Sequence, residues 1–263
     1  MIGVLGIPFD ENSSFLKGPA LAPQKIRDAF HSNSANYFTE SGTDLENNPG
    51  WKDFGDLKFD LRTDFFEYIK GNITKLLASN EKLFILGGDH SISYPVVAGL
   101  TSLYPRLNIL HIDAHSDLYH DFEGNPFSHA SPFARIMENG LAYRLVQVGI
   151  RTLNTQQKEQ AMRFGVEIVQ MKEWEDSHEF QFDGPVYLSV DMDALDPAFA
   201  PGVSHHESGG FSTRQLLQLL QNLHGQFVGA DLVELNPSRD LSGMTNMVAA
   251  KLFKEILDLL LRN

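Results

Sequence analysis

Residues 107–117 read Leu-Asn-Ile-Leu-His-Ile-Asp-Ala-His-Ser-Asp, an apolar run that leads directly into ligand-type side chains. Side chains of an extended backbone alternate between two faces, so Asp113, His115 and Asp117 project to the same side. Two carboxylates and an imidazole that converge beside a core are costly to leave unpaired, and a divalent cation is their usual partner. The stretch therefore predicts a metal site at the end of a core strand, against the alternative of an ordinary polar loop.

Two further stretches have the same design. Asp191 and Asp193 follow the apolar run at residues 185–190, and His90 closes the run that begins at residue 82. In open α/β sheets ligands bind beyond the carboxyl ends of the strands, so three such junctions can share one crevice. Two histidines and four aspartates are more ligands than one ion requires. The surplus predicts two ions that share carboxylates.

Strand and helix patterns alternate along the rest of the chain. Apolar runs with strand character lie at residues 1–10, 82–90, 107–112, 144–148, 166–169, 185–190 and 227–233. Helical spacing marks residues 18–30, 65–77, 91–103, 131–138, 155–164, 213–223 and 245–261. The polar segment 32–52 is expected to be a surface loop. Strands separated by crossover helices predict an α/β fold with a mostly parallel sheet covered on both faces, in a single domain over residues 1–263.

Composition limits the classes of function. The formal net charge of −13 argues against nucleic acid or an anionic membrane surface as the main partner, and mildly favours a cationic ligand. The chain has no Cys, so neither disulfides nor thiolate chemistry contribute. The first ten residues lack a basic region of the kind that begins an export signal, and the apolar tail is too short for a membrane span. A cytoplasmic enzyme is therefore expected.

Several motifs now assembled resemble those of the ureohydrolase family of arginases and agmatinases. The motifs are Gly87-Gly88-Asp89-His90-Ser91, Asp113-Ala114-His115-Ser116-Asp117 and Ser189-Val190-Asp191-Met192-Asp193-Ala194-Leu195-Asp196-Pro197. Four more resemble the plant-type arginase branch: Phe122-Glu123-Gly124-Asn125, Ser128-His129-Ala130-Ser131, Ala200-Pro201-Gly202-Val203-Ser204-His205 and Gly229-Ala230-Asp231-Leu232-Val233-Glu234-Leu235-Asn236-Pro237. The likeness follows nearly the whole chain in order, which makes it far more specific than any one motif.

The resemblance implies a three-layer α/β/α arginase-like fold and a site for two Mn²⁺ ions per subunit. The ligands that it implies are His90, Asp113, His115, Asp117, Asp191 and Asp193. It also implies that Asp117 is the first proton carrier, that His129 is the catalytic histidine, and that Glu234 faces the guanidinium group of the substrate. Four carboxylates, two imidazoles and no thiolate suit Mn²⁺ better than Zn²⁺ or Cu²⁺. His111, inside the central strand, is expected to make a core hydrogen bond instead.

The function that follows is hydrolysis of L-arginine to L-ornithine and urea, by attack of a hydroxide that bridges the two ions. A guanidinium carbon is a poor electrophile, so the reaction needs a strong nucleophile and a partner for the charge. Asn125 and Ser128 are expected to contact the substrate carboxylate, and His205 to support Glu234 or line the pocket. The alternatives are an agmatinase that yields putrescine and urea, a hydrolase of another guanidino acid or formiminoglutamate, and an inactive metal-binding regulator. The family likeness also implies a homo-oligomer, a trimer or hexamer.

Overall fold

A sheet of eight strands forms the centre of the molecule in the computed structural model, which describes residues 1–59 and 64–262. The strands are β1 Ile2–Ile7, β2 Trp51–Asp56, β3 Lys82–Gly87, β4 Asn108–Ile112, β5 Arg144–Ile150, β6 Glu167–Gln170, β7 Pro185–Asp191 and β8 Gln226–Val233. Their order is β2-β1-β3-β8-β7-β4-β5-β6, and every neighbouring pair is parallel. The predicted α/β class with a parallel sheet is confirmed. Residues 60–63 and Asn263 of the predicted domain lie outside the described residues.

Among the described residues, seven α-helices cover the two faces of this sheet. They are α1 Ala22–Phe30, α2 Phe65–Leu77, α3 Ser93–Leu100, α4 Pro132–Glu138, α5 Thr155–Phe164, α6 Thr213–Asn222 and α7 Met244–Leu261. Helices α1, α6 and α7 contribute to one apolar core, and α2 to α5 contribute to the other. The arrangement is the three-layer α/β/α architecture that the resemblance implied.

Strand β3 illustrates why the sheet separates two cores. Leu83 and Ile85 belong to the core shared with α2 and α3, whereas Phe84 and Leu86 belong to the core shared with α1 and α7. The ring of Phe84 stacks on Phe253 of α7, with the ring centroids 5.3 Å apart. Successive side chains of a strand point to opposite faces, so a strand that is apolar at every position must be buried on both sides.

The clearest difference from the sequence prediction is β2. The segment 32–52 was expected to be a loop, but its end begins this strand, which continues to Asp56. Residues 52–56 are exposed, since β2 lies at the edge of the sheet and pairs only with β1. An exposed edge strand has no reason to carry an apolar run, so its sequence Trp-Lys-Asp-Phe-Gly-Asp gave no strand pattern.

The sheet order has one consequence for function. Strands β3, β8, β7 and β4 lie side by side at the centre, and they run in the same direction. Their carboxyl ends therefore form one continuous edge.

In the described part of the chain, no helix is long and apolar enough to cross a bilayer.

Candidate metal centre

A residue singled out from the sequence lies at the carboxyl end of each of the four central strands or within three residues beyond it. Asp113 directly follows β4, Asp191 is the last residue of β7, and Glu234 directly follows β8. His90 begins a short 3-10 turn three residues after β3. Asp191 and Glu234, together with residues of the loops beyond the strands, line a cavity of about 520 Å³, a size ordinary for a small-molecule site.

Asp113 lies at the middle of the six predicted ligands. Its Oδ2 atom is 3.3 Å from Nδ1 of His90, and its Oδ1 atom is 3.5 Å from Nδ1 of His115. His90 Nδ1 is also 3.1 Å from a carboxylate oxygen of Asp117 and 3.1 Å from one of Asp191, and His115 Nδ1 is 3.0 Å from one of Asp193. The side chains thus form two groups that meet at Asp113. His90, His111, Asp113 and Asp117 form one group that could hold a metal ion, with Asp191 in contact with His90, and Asp113, His115 and Asp193 form the other.

The hydrogen bonds of His90 test whether these groups fit a metal. Ser189 Oγ donates to Oδ1 of Asp231 over 2.6 Å, so it accepts from His90 Nε2, which lies 2.9 Å away. That bond places the ring proton on Nε2 and leaves the lone pair of Nδ1 facing three carboxylate oxygens. Nδ1 is fully buried and has no hydrogen-bond partner among the described residues. A lone pair held against anionic oxygens is stable only with a cation or a proton between them, so the arrangement fits a metal ion.

The carboxylates lead to the same conclusion. Burial, together with the charges of Asp193 and Asp113, raises the pKa of Asp191 well above its ordinary value. Burial also raises the pKa of Asp193 to about 6, against the opposing effect of His115. Burial acts in the same direction on Asp113, but His111 and the other histidines outweigh it and hold its pKa well below the usual range. A divalent cation would relieve the repulsion that the first two groups experience.

His111 supports Asp113 from behind. Its Nε2 atom lies 2.7 Å from Asp113 Oδ2, and its Nδ1 atom lies 3.0 Å from the amide Nε2 of Gln147. Since the amide is a donor, Nδ1 accepts and Nε2 carries the proton that it donates to Asp113. The ring also stacks on Phe133, with the centroids 3.9 Å apart. The expected core hydrogen bond of His111 is therefore made to a predicted metal ligand.

Two acidic residues of the site have unusual backbone conformations. Asp117 has φ 50° and Glu234 has φ 63°, both in the left-handed region that residues other than Gly seldom adopt. Such a conformation costs on the order of 1–3 kcal/mol and persists where the surrounding structure imposes it. Both acids lie on the cavity wall. The strained conformations therefore occur at the site itself, where an acid is placed on the cavity wall.

Glu234 and His129 form a pair next to the metal ligands. Oε1 of Glu234 accepts from the backbone N–H of His90 and lies 2.8 Å from Nδ1 of His129. Burial alone would lower the pKa of His129, but the Glu234 carboxylate outweighs it and raises this pKa to about 9. The imidazolium in turn lowers the pKa of Glu234 against the effect of burial. No hydrogen bond from the described residues reaches Oε2 of Glu234, so this oxygen can accept from a ligand.

The loop after β1 that contains residues 12–14 contacts this pair through Ser14, and Asp89 binds the loop. The Oδ2 atom of Asp89 accepts from the backbone N–H of Asn12 over 3.0 Å and from Ser13 Oγ over 3.2 Å. Its other oxygen accepts from the N–H of Ser91, at the start of the turn that carries His90. Gly88 allows the close approach, because a Cβ atom there would lie 1.9 Å from the carbonyl oxygen of Phe9. Asp89 thus ties the loop to the metal-binding segment.

The outer wall of the cavity consists of loop residues. Tyr119 and Asn154 meet there, with Asn154 Nδ2 donating to the Tyr119 hydroxyl over 2.7 Å. His205 also lines the cavity; its ring lies 5.4 Å from that of His129 and 5.8 Å from that of His115. His205 Nε2 has no hydrogen-bond partner among the described residues, and the side chain makes no hydrogen bond to Glu234 that the structure shows.

Asn125 and Ser128 are not among the described residues that line the cavity. The Nδ2 atom of Asn125 donates to Oδ1 of Asn12, in the loop after β1. Ser128 is 2% exposed and accepts a hydrogen bond from the N–H of Ala130. Both side chains thus have protein partners in this structure. Their contact with a substrate carboxylate stays a prediction.

Several polar residues of the cavity wall have no signal in the sequence, and Ser14 is the one of them that contacts His129. Ser14 Oγ lies 2.8 Å from Nε2 of His129, on the side of the ring opposite Glu234. The sequence Glu-Asn-Ser-Ser around it is an ordinary polar loop, and serine has no characteristic spacing to a histidine 115 positions away. Only the folding of this loop over the strand ends brings the two together.

Comparison with known proteins gives a consistent result. A family model described as "Arginase family" matches residues 1–258. The chain is 48% identical to "Arginase 1, mitochondrial" of Arabidopsis thaliana, covering 96% of this chain and 79% of that protein. Against an "Agmatinase" of Bacillus anthracis the identity is 32%, covering 97% and 90%. The solved structure of an arginase from Medicago truncatula superimposes with a TM-score of 0.91 at 42% identity, covering 98% of this chain and 87% of that one.

The expected cytoplasmic location is wrong by the same comparison. The Arabidopsis relative is named mitochondrial, and other plant arginases that match carry mitochondrial or chloroplastic/mitochondrial names, which points to an organelle. The expectation rested on a missing export pattern in the first residues. The absence of an export signal does not distinguish the cytoplasm from an organelle.

Proposed function

Because the chain belongs to the arginase family, we infer that it is a metal-dependent ureohydrolase that converts L-arginine to L-ornithine and urea. The observation that carries the inference is the combination of two histidine–carboxylate groups joined at Asp113 with a buried glutamate, Glu234, on the same cavity. Identity to plant arginases is 46–48% across most of the chain, whereas identity to the agmatinase is 32%.

The cofactor that we propose is a pair of Mn²⁺ ions. Six buried or half-buried ligands support it, which divide into one set around His90 and one around His115. Bound divalent cations supply a water molecule whose pKa is lowered from 15.7 toward neutrality, and so a nucleophile at pH 7. Metal analysis of the protein loaded with Mn²⁺ tests the proposal. Two equivalents per chain are expected, and one equivalent at saturation would contradict the shared site.

Glu234 is proposed to hold the guanidinium group. Its Oε1 atom is already occupied by the N–H of His90 and by His129, while Oε2 receives no hydrogen bond from a described residue, and Glu234 lines the cavity. A guanidinium has N–H donors in a planar fork that suits a carboxylate, and its charge is the one that Glu234 complements. The role of Glu234 is therefore to fix the orientation of the substrate carbon relative to the nucleophile.

Proton movement falls to Asp117 and His129. The amine of the product leaves only when protonated, so a proton must pass from the attacking water to the leaving nitrogen. Asp117 lies on the cavity wall next to His90, where its carboxylate can accept that proton and return it. His129 is nine-tenths buried and donates from Nδ1 to Glu234, which places it within reach of the amine side of the substrate. It is proposed to exchange the proton with solvent.

Substrate choice is tested by comparing arginine with agmatine. The two differ by an α-carboxylate, which would lie at the outer wall near Tyr119 and Asn154 if the guanidinium is bound by Glu234. Initial rates of urea release are measured on both compounds with the Mn²⁺-loaded protein, and arginine is expected to be the better substrate by kcat/KM. Urea from agmatine alone would establish the alternative. Metal-loaded protein that releases no urea from any guanidino compound would support the inactive regulator.

Two proposals concern the size of the working unit. Residues 1–263 are proposed to act as one ureohydrolase domain, which the eight-stranded sheet and the family match over residues 1–258 support. A homo-oligomer, a trimer or hexamer, is proposed from the family likeness. Sedimentation or light scattering of the metal-loaded protein gives the mass directly, and a monomer at micromolar concentration would contradict it.

A further inference from the structure

Ser14 is a polar side chain of the cavity wall to which the proposed reaction gives no role. Its hydroxyl oxygen lies 2.8 Å from Nε2 of His129, and Nδ1 of the same ring is occupied by Glu234. The two ring nitrogens of His129 therefore have one protein partner each. His129 is only 7% exposed, whereas Ser14 is exposed to solvent.

We propose that Ser14 is a positioning residue that holds His129 in place and passes protons between its Nε2 atom and solvent. The inference rests on the proposed function, because it needs His129 to act as a proton shuttle. It extends that function to a residue outside the predicted set.

The chemistry of a hydroxyl explains why serine suits this position. When His129 is an imidazolium, Nε2–H donates to Ser14 Oγ; when it is neutral with its proton on Nδ1, Nε2 accepts from the Ser14 hydroxyl. A hydroxyl can take both roles without any movement of the ring. An amide, a carboxylate or an apolar side chain satisfies at most one of the two states.

The proton transfer between solvent and His129 leaves Ser14 unchanged in each direction. To recharge neutral His129, a solvent water gives a proton to Ser14 Oγ while the original hydroxyl proton passes to the lone pair of Nε2. The serine ends as it began, His129 becomes an imidazolium, and the water becomes hydroxide or, if hydronium was the donor, water. After His129 gives a proton to the leaving amine, this step returns it to its charged form.

The loop around Ser14 is held firmly enough for such a role. Asn12 accepts from the backbone N–H of His129 over 3.1 Å, which joins the loop to the histidine segment beside the side-chain contact. Asn12 and Ser13 are both bound by Asp89, next to the metal-binding turn. The hydroxyl of Ser14 is thus fixed relative to both His129 and the strand ends, although it lies on an irregular loop.

A matched pair of variants tests the proposal in the Mn²⁺-loaded protein. Ser14→Thr and Ser14→Val have the same shape, but only the threonine keeps a hydroxyl. The kcat for arginine is expected to fall by about tenfold in Ser14→Val, a fraction of what general acid–base catalysis contributes, with KM within about twofold of wild type. Ser14→Thr is expected to retain most of the activity. Ser177→Val, at an exposed serine outside the cavity lining, serves as the control and stays within about twofold.

Two readouts separate a proton relay from a merely structural role. Small imidazole buffers are expected to restore kcat in Ser14→Val in proportion to their concentration and to leave wild type unchanged, because a diffusing base can replace the lost relay. In ¹⁵N-histidine spectra of the metal-free protein, which avoid paramagnetic broadening by Mn²⁺, the Nε2 resonance of His129 is expected to shift in Ser14→Val and to remain in place in Ser14→Thr. Equal kcat in Val and Thr variants, or a loss that buffer does not restore, would overturn the proposal. If the wild-type protein has no ureohydrolase activity, the proposed function is overturned instead. In that case the spectra still test the contact between Ser14 and His129, and an Nε2 resonance that does not shift in Ser14→Val would overturn it.

Discussion

The inner end and the outer wall of the cavity are built in different ways. The inner end consists of Asp191 and Glu234, each within one residue of the end of a central strand, supported by Asp113 and His90, which contact the lining residues His115 and Asp191. The outer wall consists of loop residues such as Tyr119, whose positions depend on contacts between loops. Strand ends are fixed by the ladder of the sheet, whereas loop tips are fixed only by what they touch. The proposed function therefore assigns the reaction chemistry to the rigid part and the discrimination between substrates to the adaptable part.

This comparison predicts that the largest effects come from the inner end. Asp113→Asn keeps the shape of the side chain but removes the charge shared by His90 and His115. We expect metal content to fall below two equivalents and urea release to drop by more than about 10³-fold, since the nucleophile depends on both groups. Metal analysis and initial rates on arginine measure the two effects. Asp28→Asn, on the exposed surface of α1, is the control. Near-normal activity of Asp113→Asn would contradict the proposal that the chemistry depends on the inner end.

Glu234→Gln is expected to have the next largest effect, a loss of about 10²–10³-fold in kcat/KM, because the guanidinium loses its charged partner. It should leave the metal content unchanged, which distinguishes it from the ligand variant. Glu159→Gln, on the exposed side of α5, provides the matched control. Loss of metal in Glu234→Gln would show that this acid belongs to the ligand set.

The same substitution has a consequence for pH. The pKa of His129 is raised to about 9, above the ordinary 6.5, chiefly by the charge of Glu234 against the effect of burial. Because the folded-state pKa is the higher one, the pair stabilises the fold fully below pH 6.5, and this stabilisation is lost as pH rises through about 9. In metal-free protein, denaturant unfolding at pH 6 and pH 10 should reveal that loss in wild type. A Glu234→Gln protein with the same pH dependence would show that another group is responsible.

His111→Phe tests the support behind the strand end. The substitution keeps the stacking on Phe133 but removes the hydrogen bond to Asp113 and the acceptor for Gln147. Partners of metal ligands are typically worth about 10–100-fold in metal affinity, and a loss in that range is expected. Titration with Mn²⁺ measures it. His120→Phe, on the exposed surface, is the control, and unchanged affinity in His111→Phe would assign this histidine to packing alone.

The smallest effect is expected at the outer wall. Tyr119→Phe removes the hydroxyl that accepts from Asn154 and leaves the inner end untouched. We expect KM for arginine to rise by about threefold with little change in kcat, and the preference for arginine over agmatine to weaken. Steady-state kinetics on both substrates decide this, with Tyr143→Phe at an exposed site as the control. A fall in kcat larger than the rise in KM would mean that the wall also governs the chemical step.

The spacing of residues in the sequence predicted that the metal-ligand candidates of the inner end would cluster, whereas the role of Glu234 was implied by the family resemblance. Alternation along a strand places Asp113 and His115 on one side, and parallel strands bring their ends to one edge, so the spacing of residues predicts a cluster. The structure brings all six predicted ligands together. Helix limits were also close, because amphipathic spacing and the capping residues Asn154 and Ser212 are local signals.

Only the tertiary structure decided the rest. It showed that β2 is an edge strand, that Asn125 turns toward Asn12 and not toward the cavity, and that Ser14 meets His129 across 115 positions. These features have no periodicity, because loop conformation depends on partners that are distant in sequence. Secondary structure and strand-end chemistry are set by local backbone geometry and can be deduced from spacing. Contacts between loops are set by the packing of the whole chain, so they become known only once it has folded.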